Sequence, residues 1–223
     1  MIKSKIIMDF DRYRRCGIEE AVMCEFKSIG QINEILLQAG QQQRRLLLTR
    51  LRAEKFNALM PELQPQLQFY QECDCALLGA LELPTTAATI AIVSGGSSDA
   101  NVCHEARLTL NYHGINCDLF QDVGVAALWR LQQILPELQN YDLLIAVAGM
   151  EAALPTVLAG LTDAPIIAIP TSVGYGVAAG GNVALLSCLA SCAGGVMTMN
   201  IDNGYGAACA AIKIYRKINK HST

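Results

Sequence analysis

Over the second part of the chain, short apolar runs alternate with longer stretches whose apolar residues recur every three or four positions. The runs at 89–93, 116–121, 142–148, 165–169 and 196–200 predict strands, and the stretches at 101–112, 126–135, 152–159, 183–190 and 207–217 predict helices. Most of the strand runs are apolar throughout, not at every second position. That is the pattern of parallel strands covered by helices on both faces. Strand–helix alternation at this spacing predicts an α/β domain over 87–223, a three-layer α/β/α sandwich with a parallel central sheet.

Residues 1–86 read differently. They carry much of the charge, including Asp9, Asp11, Arg12, Arg14, Arg15, Glu19, Glu20, Arg44, Arg45, Arg50 and Arg52. Helical spacing of apolar residues occurs at 29–37 and again at 56–67, where Pro61 and Pro65 interrupt it. A small, mainly helical N-terminal domain is expected, with a strand or two. Pro84-Thr85-Thr86-Ala87 reads as the linker to the second domain.

Composition narrows the function classes. Apolar residues make up 52% of the chain, so a large core is available. A net charge of −3 gives no general affinity for nucleic acid or an anionic membrane surface. No apolar run approaches the roughly 18 residues that span a bilayer, and the start lacks a signal-peptide pattern, so cytoplasm is the expected location. Nine cysteines fit a reduced protein that uses Cys as a small core residue. Cys73-Asp74-Cys75 has the wrong spacing for a zinc site, and His104, His113 and His221 are scattered, which argues against a His-based metal site or triad. Gly- and Ala-rich stretches at 176–181 and 207–211 suggest close helix packing and a homo-oligomer.

Candidate chemistry lies in glycine-bearing loops that directly follow strand runs. They are Ser94-Gly95-Gly96-Ser97-Ser98-Asp99, Gly149-Met150-Glu151, 170–176 with Thr171, Ser172, Gly174, Tyr175 and Gly176, and 200–206 with Asn200, Asp202, Asn203 and Gly204. Ligands of open parallel sheets bind outside the carboxyl ends of the strands. Small hydroxyls and free backbone N–H groups at that edge suit phosphate, ribose or carboxylate. Asp99 reads as an N-cap of the following helix or as a ligand contact, with Ser97 and Ser98 better placed for phosphate. Glu151 reads either as a carboxylate favoured by a helix dipole or as a ligand-facing acid or base. Asp122 opens a further loop. Arg130 beyond it is suited to grip a phosphate or pair with a surface acid, and Trp129 reads as a core or interface anchor. Cys192 sits where a helix ends in glycines before a strand, with Ser and Gly leaving room around the sulfur. A buried structural role is the ordinary alternative.

Taken together, Ser94–Asp99, Asp122-Val-Gly-Val125, Val147-Ala-Gly-Met-Glu151 with Ala153-Leu-Pro155, Pro170–Gly176, Ser191-Cys-Ala193 and Asn200–Gly206 resemble the LarB family, the nickel-pincer nucleotide biosynthesis carboxylase/hydrolases. The same stretch is more distantly similar to PurE, the aminoimidazole ribonucleotide carboxylase or mutase. Asp11-Arg12 with Arg15-Cys-Gly17, Glu20-Ala-Val22 and Lys27 resembles the N-terminal signature of LarB, which PurE lacks. The resemblance implies a PurE/flavodoxin-like fold and a reaction. Nicotinic acid adenine dinucleotide is carboxylated at pyridinium C5 by CO2 or bicarbonate, and its phosphoanhydride is hydrolysed to release AMP. It implies Cys192 as nucleophile and Glu151 as the proton-transfer or positioning group. The loop residues named above, with Met150, would hold the nucleotide. No covalently bound cofactor is implied, and Mg2+ is the candidate ion for the hydrolytic step. One departure stands out: Trp129 occupies a position where the family commonly has histidine.

Overall fold

The charged first part of the chain builds more sheet than its sequence suggests. The structure, a computed structural model, describes residues 6–81 and 86–219 and divides into two units, Met1–Glu82 and Leu83–Thr223. Pro84, Thr85 and His221 lie outside the described residues.

In the first unit, helix α1 (Arg12–Cys16) ends at Gly17, whose left-handed φ of 73° lets its N–H reach back to Tyr13 O. Strand β1 (Val22–Met23) follows, then helix α2 (Ile29–Gln41), opened by a Ser28–Gln31 capping box. Strand β2 (Leu46–Thr49), helix α3 (Ala53–Asn57) and strands β3 (Leu67–Tyr70) and β4 (Cys75–Leu78) complete the unit. Helical segments hold more residues than strands, yet four strands pair in the order β1-β2-β4-β3, parallel only between β1 and β2. Strands of two to four residues carry too few positions for a period to show. The expected helical stretch 56–67 is not continuous: α3 stops at Asn57, and the chain passes through a 3-10 turn at Gln64–Gln66 before β3. Pro61 and Pro65 explain the break, since neither can donate to a helical carbonyl. Ile32, Ile35, Leu36 and Ala39 of α2 close over Leu46, Leu48, Leu51 and Ala76 to form the core.

The second unit follows its pattern closely. Its elements are β5 (Ile90–Ser94), α4 (Ala100–Tyr112), β6 (Asp118–Phe120), α5 (Leu128–Leu138), β7 (Leu143–Ala148), α6 (Ala153–Leu161), β8 (Ile166–Pro170), α7 (Asn182–Leu189), β9 (Val196–Thr198) and α8 (Gly204–Asn219). All five strands are parallel, in the order β6-β5-β7-β8-β9. Ala91, Val93, Leu144, Ala146, Ile166 and Ala168 pack beneath α5, α6 and α7 through Leu131, Leu138, Leu154, Leu158, Ala184 and Cys188. On the opposite face α4 and α8 pair with each other against β5 and β8. Central strands β5, β7 and β8 are buried at every position, as their unbroken apolar runs require.

Two boundaries differ most from expectation. Helix α5 runs past Pro136 to Leu138. Leu131 and Leu138 are both fully buried, and that burial outweighs the one backbone bond a proline removes near a helix end. Helix α8 begins at Gly204 because Asn203 caps it, its Oδ1 accepting from Gly206 N at 2.8 Å. Gly204 is there for packing: a Cβ would stand 2.5 Å from Val102 O and 2.8 Å from Glu105 Oε2 of α4. Gly204→Ala therefore forces α4 and α8 apart and lowers stability by about 1–3 kcal/mol in urea unfolding. Gly160→Ala, where no atom lies within 4 Å of the new methyl, raises it by about 0.5–1 kcal/mol.

Candidate functional site

The order β6-β5-β7 places a topological switch between β5 and β7, and a crevice forms there because the chain leaves these neighbours to opposite faces of the sheet. A cavity of about 250 Å³ lies at this point, lined by loops after both strands. The β5 loop gives Gly95, Gly96, Ser98 and Asp99; the β7 loop gives Gly149, Met150 and Glu151. Gly124 to Ala126, Ala152 to Leu154 and Val173 complete most of the wall.

Close backbone approach shapes the walls. A Cβ on Gly149 would meet Val173 O at 2.2 Å and Thr171 Oγ1 at 2.7 Å, and a Cβ on Gly124 would meet Gly95 O at 2.5 Å. Met150 and Ala152 hold left-handed φ values of 54° and 47° on either side of Glu151. Such backbone costs on the order of 1–3 kcal/mol per residue unless its surroundings compensate. Here Met150 N donates to Val173 O and Ala152 N to Gly149 O, each at 2.8 Å. The turn leaves the Glu151 side chain exposed at the cavity wall.

Asp99 ties the floor together. Its Oδ2 accepts from Gly96 N at 2.9 Å and its Oδ1 from Thr171 Oγ1 at 2.7 Å, joining the β5 and β8 loops. It makes no side-chain cap bond to α4, so the N-cap expected of it is replaced by this bridge. Burial pushes the Asp99 carboxyl above the usual aspartate range. The donors Thr171 and Gly96 hold it down in part, and Asp202 adds to the rise. Beneath it Cys103 is pushed up to about 12, chiefly by burial and then by Asp99, so this thiol stays protonated.

The remaining predicted residues divide into groups. Ser94 is fully buried, and its hydroxyl donates to Gly96 O and accepts from Asp122 N, which makes it a loop brace. Ser97 is exposed beside the cavity loop without lining it. Arg130 pairs with Asp122 at 2.7 Å, the surface-acid outcome of the two weighed from sequence. Asp202 Oδ1 accepts from Ser172 N, and Asp202 N donates to Pro170 O, so the 200–206 loop is pinned to the β8 loop. Asn200 Oδ1 accepts from Ile201 N, and Asn203 is occupied as the α8 cap. Gly174 lies against Ala178 O, while Tyr175 and Gly176 are exposed. Trp129 is 57% exposed, with the Arg130 guanidinium 5.7 Å from its ring, so it is not a core anchor.

Cys192 is exposed and does not line the cavity. It follows α7, which runs back from the carboxyl edge of the sheet, and the carbonyl of nearby Gly195 already accepts from Ile166 N at the amino end of β8. Its neighbour Ser191 is held by Thr156 Oγ1 at 2.8 Å and by Ala193 N. Thr156 belongs to the same helix, α6, whose first turn reaches the cavity through Ala153 and Leu154. Sequence reasoning missed Gly124, Val125, Ala153 and Leu154 as lining residues. Gly124 carried a readable signal, as a glycine in the loop that follows a strand; the apolar ones carried none.

The raised carboxyl of Asp99 has a definite sign. Its folded form binds a proton more tightly than the unfolded chain, so its contribution to stability is greatest at low pH. That contribution is lost as pH rises from the ordinary Asp value of 3.8 through the folded value. Asp99→Asn removes this component, and urea midpoints measured across the acid range should show a shallower decline above pH 3.8.

Both units have matches among known proteins. Residues 89–222 match the AIR carboxylase family profile, and residues 5–79 match that of the LarB/PurE-like N-terminal domain. An uncharacterized protein of Methanocaldococcus jannaschii is 30% identical over 98% of this chain and 87% of its own length. The N5-carboxyaminoimidazole ribonucleotide mutase of the same organism is 34% identical over 56% of this chain and 77% of its own. A crystal structure of a Treponema denticola PurE2 variant covers 60% of this chain and 91% of its own, at 21% identity and a TM-score of 0.43. With a glycine-walled cavity at the sheet's switch point and both modules matched along the sequence, the chain belongs to the AIR carboxylase family, in the form that carries a LarB/PurE-like N-terminal domain.

Proposed function

We propose that this protein is a pyridinium-3,5-biscarboxylic acid mononucleotide synthase acting on nicotinic acid adenine dinucleotide. The observation that carries the reading is the joint presence of the two modules, since the first is LarB/PurE-like and the second is of the carboxylase family. The chemistry suits the residues. A pyridinium carbon is a poor nucleophile towards CO2. Thiolate addition from Cys192 at C4 breaks aromaticity and leaves an enamine whose C5 carries the electron pair. C5 bonds to CO2, a base removes the C5 proton, and expulsion of the thiolate restores the ring. Water then cleaves the phosphoanhydride and releases AMP. Glu151, exposed on the cavity wall, is assigned the proton transfer or substrate positioning. The β5 loop is assigned to phosphate and ribose. Among the described residues no three His, Cys, Asp or Glu side chains gather into a metal cage. A Mg2+ ion for the hydrolytic step would be held chiefly by the substrate's phosphate oxygens and water, with at most one or two carboxylates.

Because Cys192 lies off the cavity of its own chain, the reading requires a homo-oligomer in which one copy brings its thiol to another's cavity. Exposed apolar side chains at Tyr175, Val177, Leu186 and Leu189 support such an assembly. No helix among the described residues is long and apolar enough to cross a membrane, which fits the proposed cytoplasmic location.

The mutase relative favours a second reading, carboxylation chemistry on an aminoimidazole ribonucleotide. Against it, no described histidine lines the cavity and Trp129 cannot carry a proton. A non-catalytic pyridine-dinucleotide-binding oligomer is the remaining alternative. It would bind the dinucleotide without turnover, with Cys192→Ala behaving as the parent does.

Incubation with nicotinic acid adenine dinucleotide and labelled CO2 should give a mass adduct on Cys192 and a labelled product. Label transfer to aminoimidazole ribonucleotide instead would support the second reading. Cys192→Ala should abolish carboxylation while changing stability by no more than about 0.5 kcal/mol, as expected for an exposed position. Glu151→Gln should lower kcat by roughly 10²–10⁴. Mixed oligomers of these two inactive variants should regain about one quarter of the parental activity by random assortment if the site is shared between copies. A mixture as inactive as its components would overturn the shared site.

A further inference from the structure

The N-terminal unit has a cavity of its own, of about 300 Å³, formed by the segment around α1 and the turn that enters β2. It contains residues of the N-terminal signature for which the catalytic reading has no use. Its charges sort into spent and unspent. Arg15 pairs with Asp9, Arg45 pairs with Glu19, and Glu20 accepts from Asp9 N at 2.7 Å. Arg14 and Arg44 line the cavity with no side-chain hydrogen bond or ion pair among the described residues, and Asp11 is likewise unengaged there. Arg44 is held in place by the preceding turn: Gln43 takes a left-handed φ of 50°, and Arg44 N donates to Ala39 O at 2.9 Å. Phe10 and Tyr13 supply aromatic surface to the same cavity, and Tyr13 is 48% exposed.

Two free guanidinium groups suit a phosphate, which they bind with charge-assisted, often paired hydrogen bonds. Carboxylates in the same wall disfavour a bare polyanion. They suit a ligand that also presents hydroxyl or amine donors some distance from its phosphate. Aromatic rings suit a flat base. A volume at the lower end of the range for small-molecule sites limits the size. We propose that this cavity of the N-terminal unit is a second binding site and that it takes a mononucleotide. Its phosphate meets Arg14 and Arg44, its sugar hydroxyls donate to Asp11 or Glu20, and its base lies against Tyr13 or Phe10.

The test uses the full chain, reads peptides of the N-terminal unit directly and does not depend on turnover. Hydrogen–deuterium exchange is followed by mass spectrometry with and without AMP. AMP should slow exchange in peptides covering 9–20 and 43–46. R14Q/R44Q, which removes two exposed and unpaired charges, should weaken that protection roughly tenfold or more in AMP concentration, with folding checked by its unfolding midpoint. Should that variant fail to fold, Tyr13→Ala takes its place and should also weaken the protection. No slowing in these peptides at saturating AMP, or full protection retained in the folded variant, would overturn the site. Equal protection by ribose 5-phosphate would overturn the assignment of a nucleotide.

Discussion

One hydrogen-bonded carboxylate connects the parts of the carboxylase cavity. Asp99 receives Gly96 N from its own loop and Thr171 Oγ1 from a loop 72 positions further along the chain. That bridge is a polar link between the loops after β5 and β8 across the cavity floor. Thr171 itself is fully buried beside Gly149, so the bridge also sets how closely the β7 loop approaches. Burying a carboxyl is unfavourable unless donors surround it. Two donors meet it here, and the net effect still leaves its proton held more tightly than in water.

Around this link, small residues do what side chains cannot. At Gly149 and Gly124 the backbone of one loop lies against a carbonyl of another, and a single methyl would occupy the same space as an oxygen. The tight packing forces left-handed backbone at Met150 and Ala152 and thereby turns Glu151 towards the opening. The placement of Glu151 at the opening and the left-handed backbone beside it thus come from the same packing constraint. By contrast, Ser94, Asp202 and Asn203 look like ligand contacts in sequence but spend their side chains on loop and helix-end hydrogen bonds.

Two cysteines of this unit sit in different surroundings. Cys103 sits under the cavity floor, where burial and the neighbouring Asp99 disfavour a thiolate. Cys192 is open to solvent. In the proposed chemistry the accessible thiol and the cavity belong to different copies, so assembly would be part of the site and not an addition to it. The N-terminal unit, with its own charged and aromatic cavity, gives the chain a second place where a small anion can be held.

The order of strands and helices in the second unit was legible from hydrophobic runs alone, because a parallel sheet buried on both faces leaves a continuous apolar signature. The glycine loops were legible for a similar reason: close approach permits no other residue, and that demand is local. Short strands in the first unit were not legible, since their pairing rests on contacts between Leu46–Thr49 and Cys75–Leu78 that no local period records. Nor could sequence say whether Asp99 and Ser94 face a ligand or hold loops together. That choice is made by partners distant along the chain, such as Thr171 for Asp99, and only tertiary packing brings them within hydrogen-bond reach.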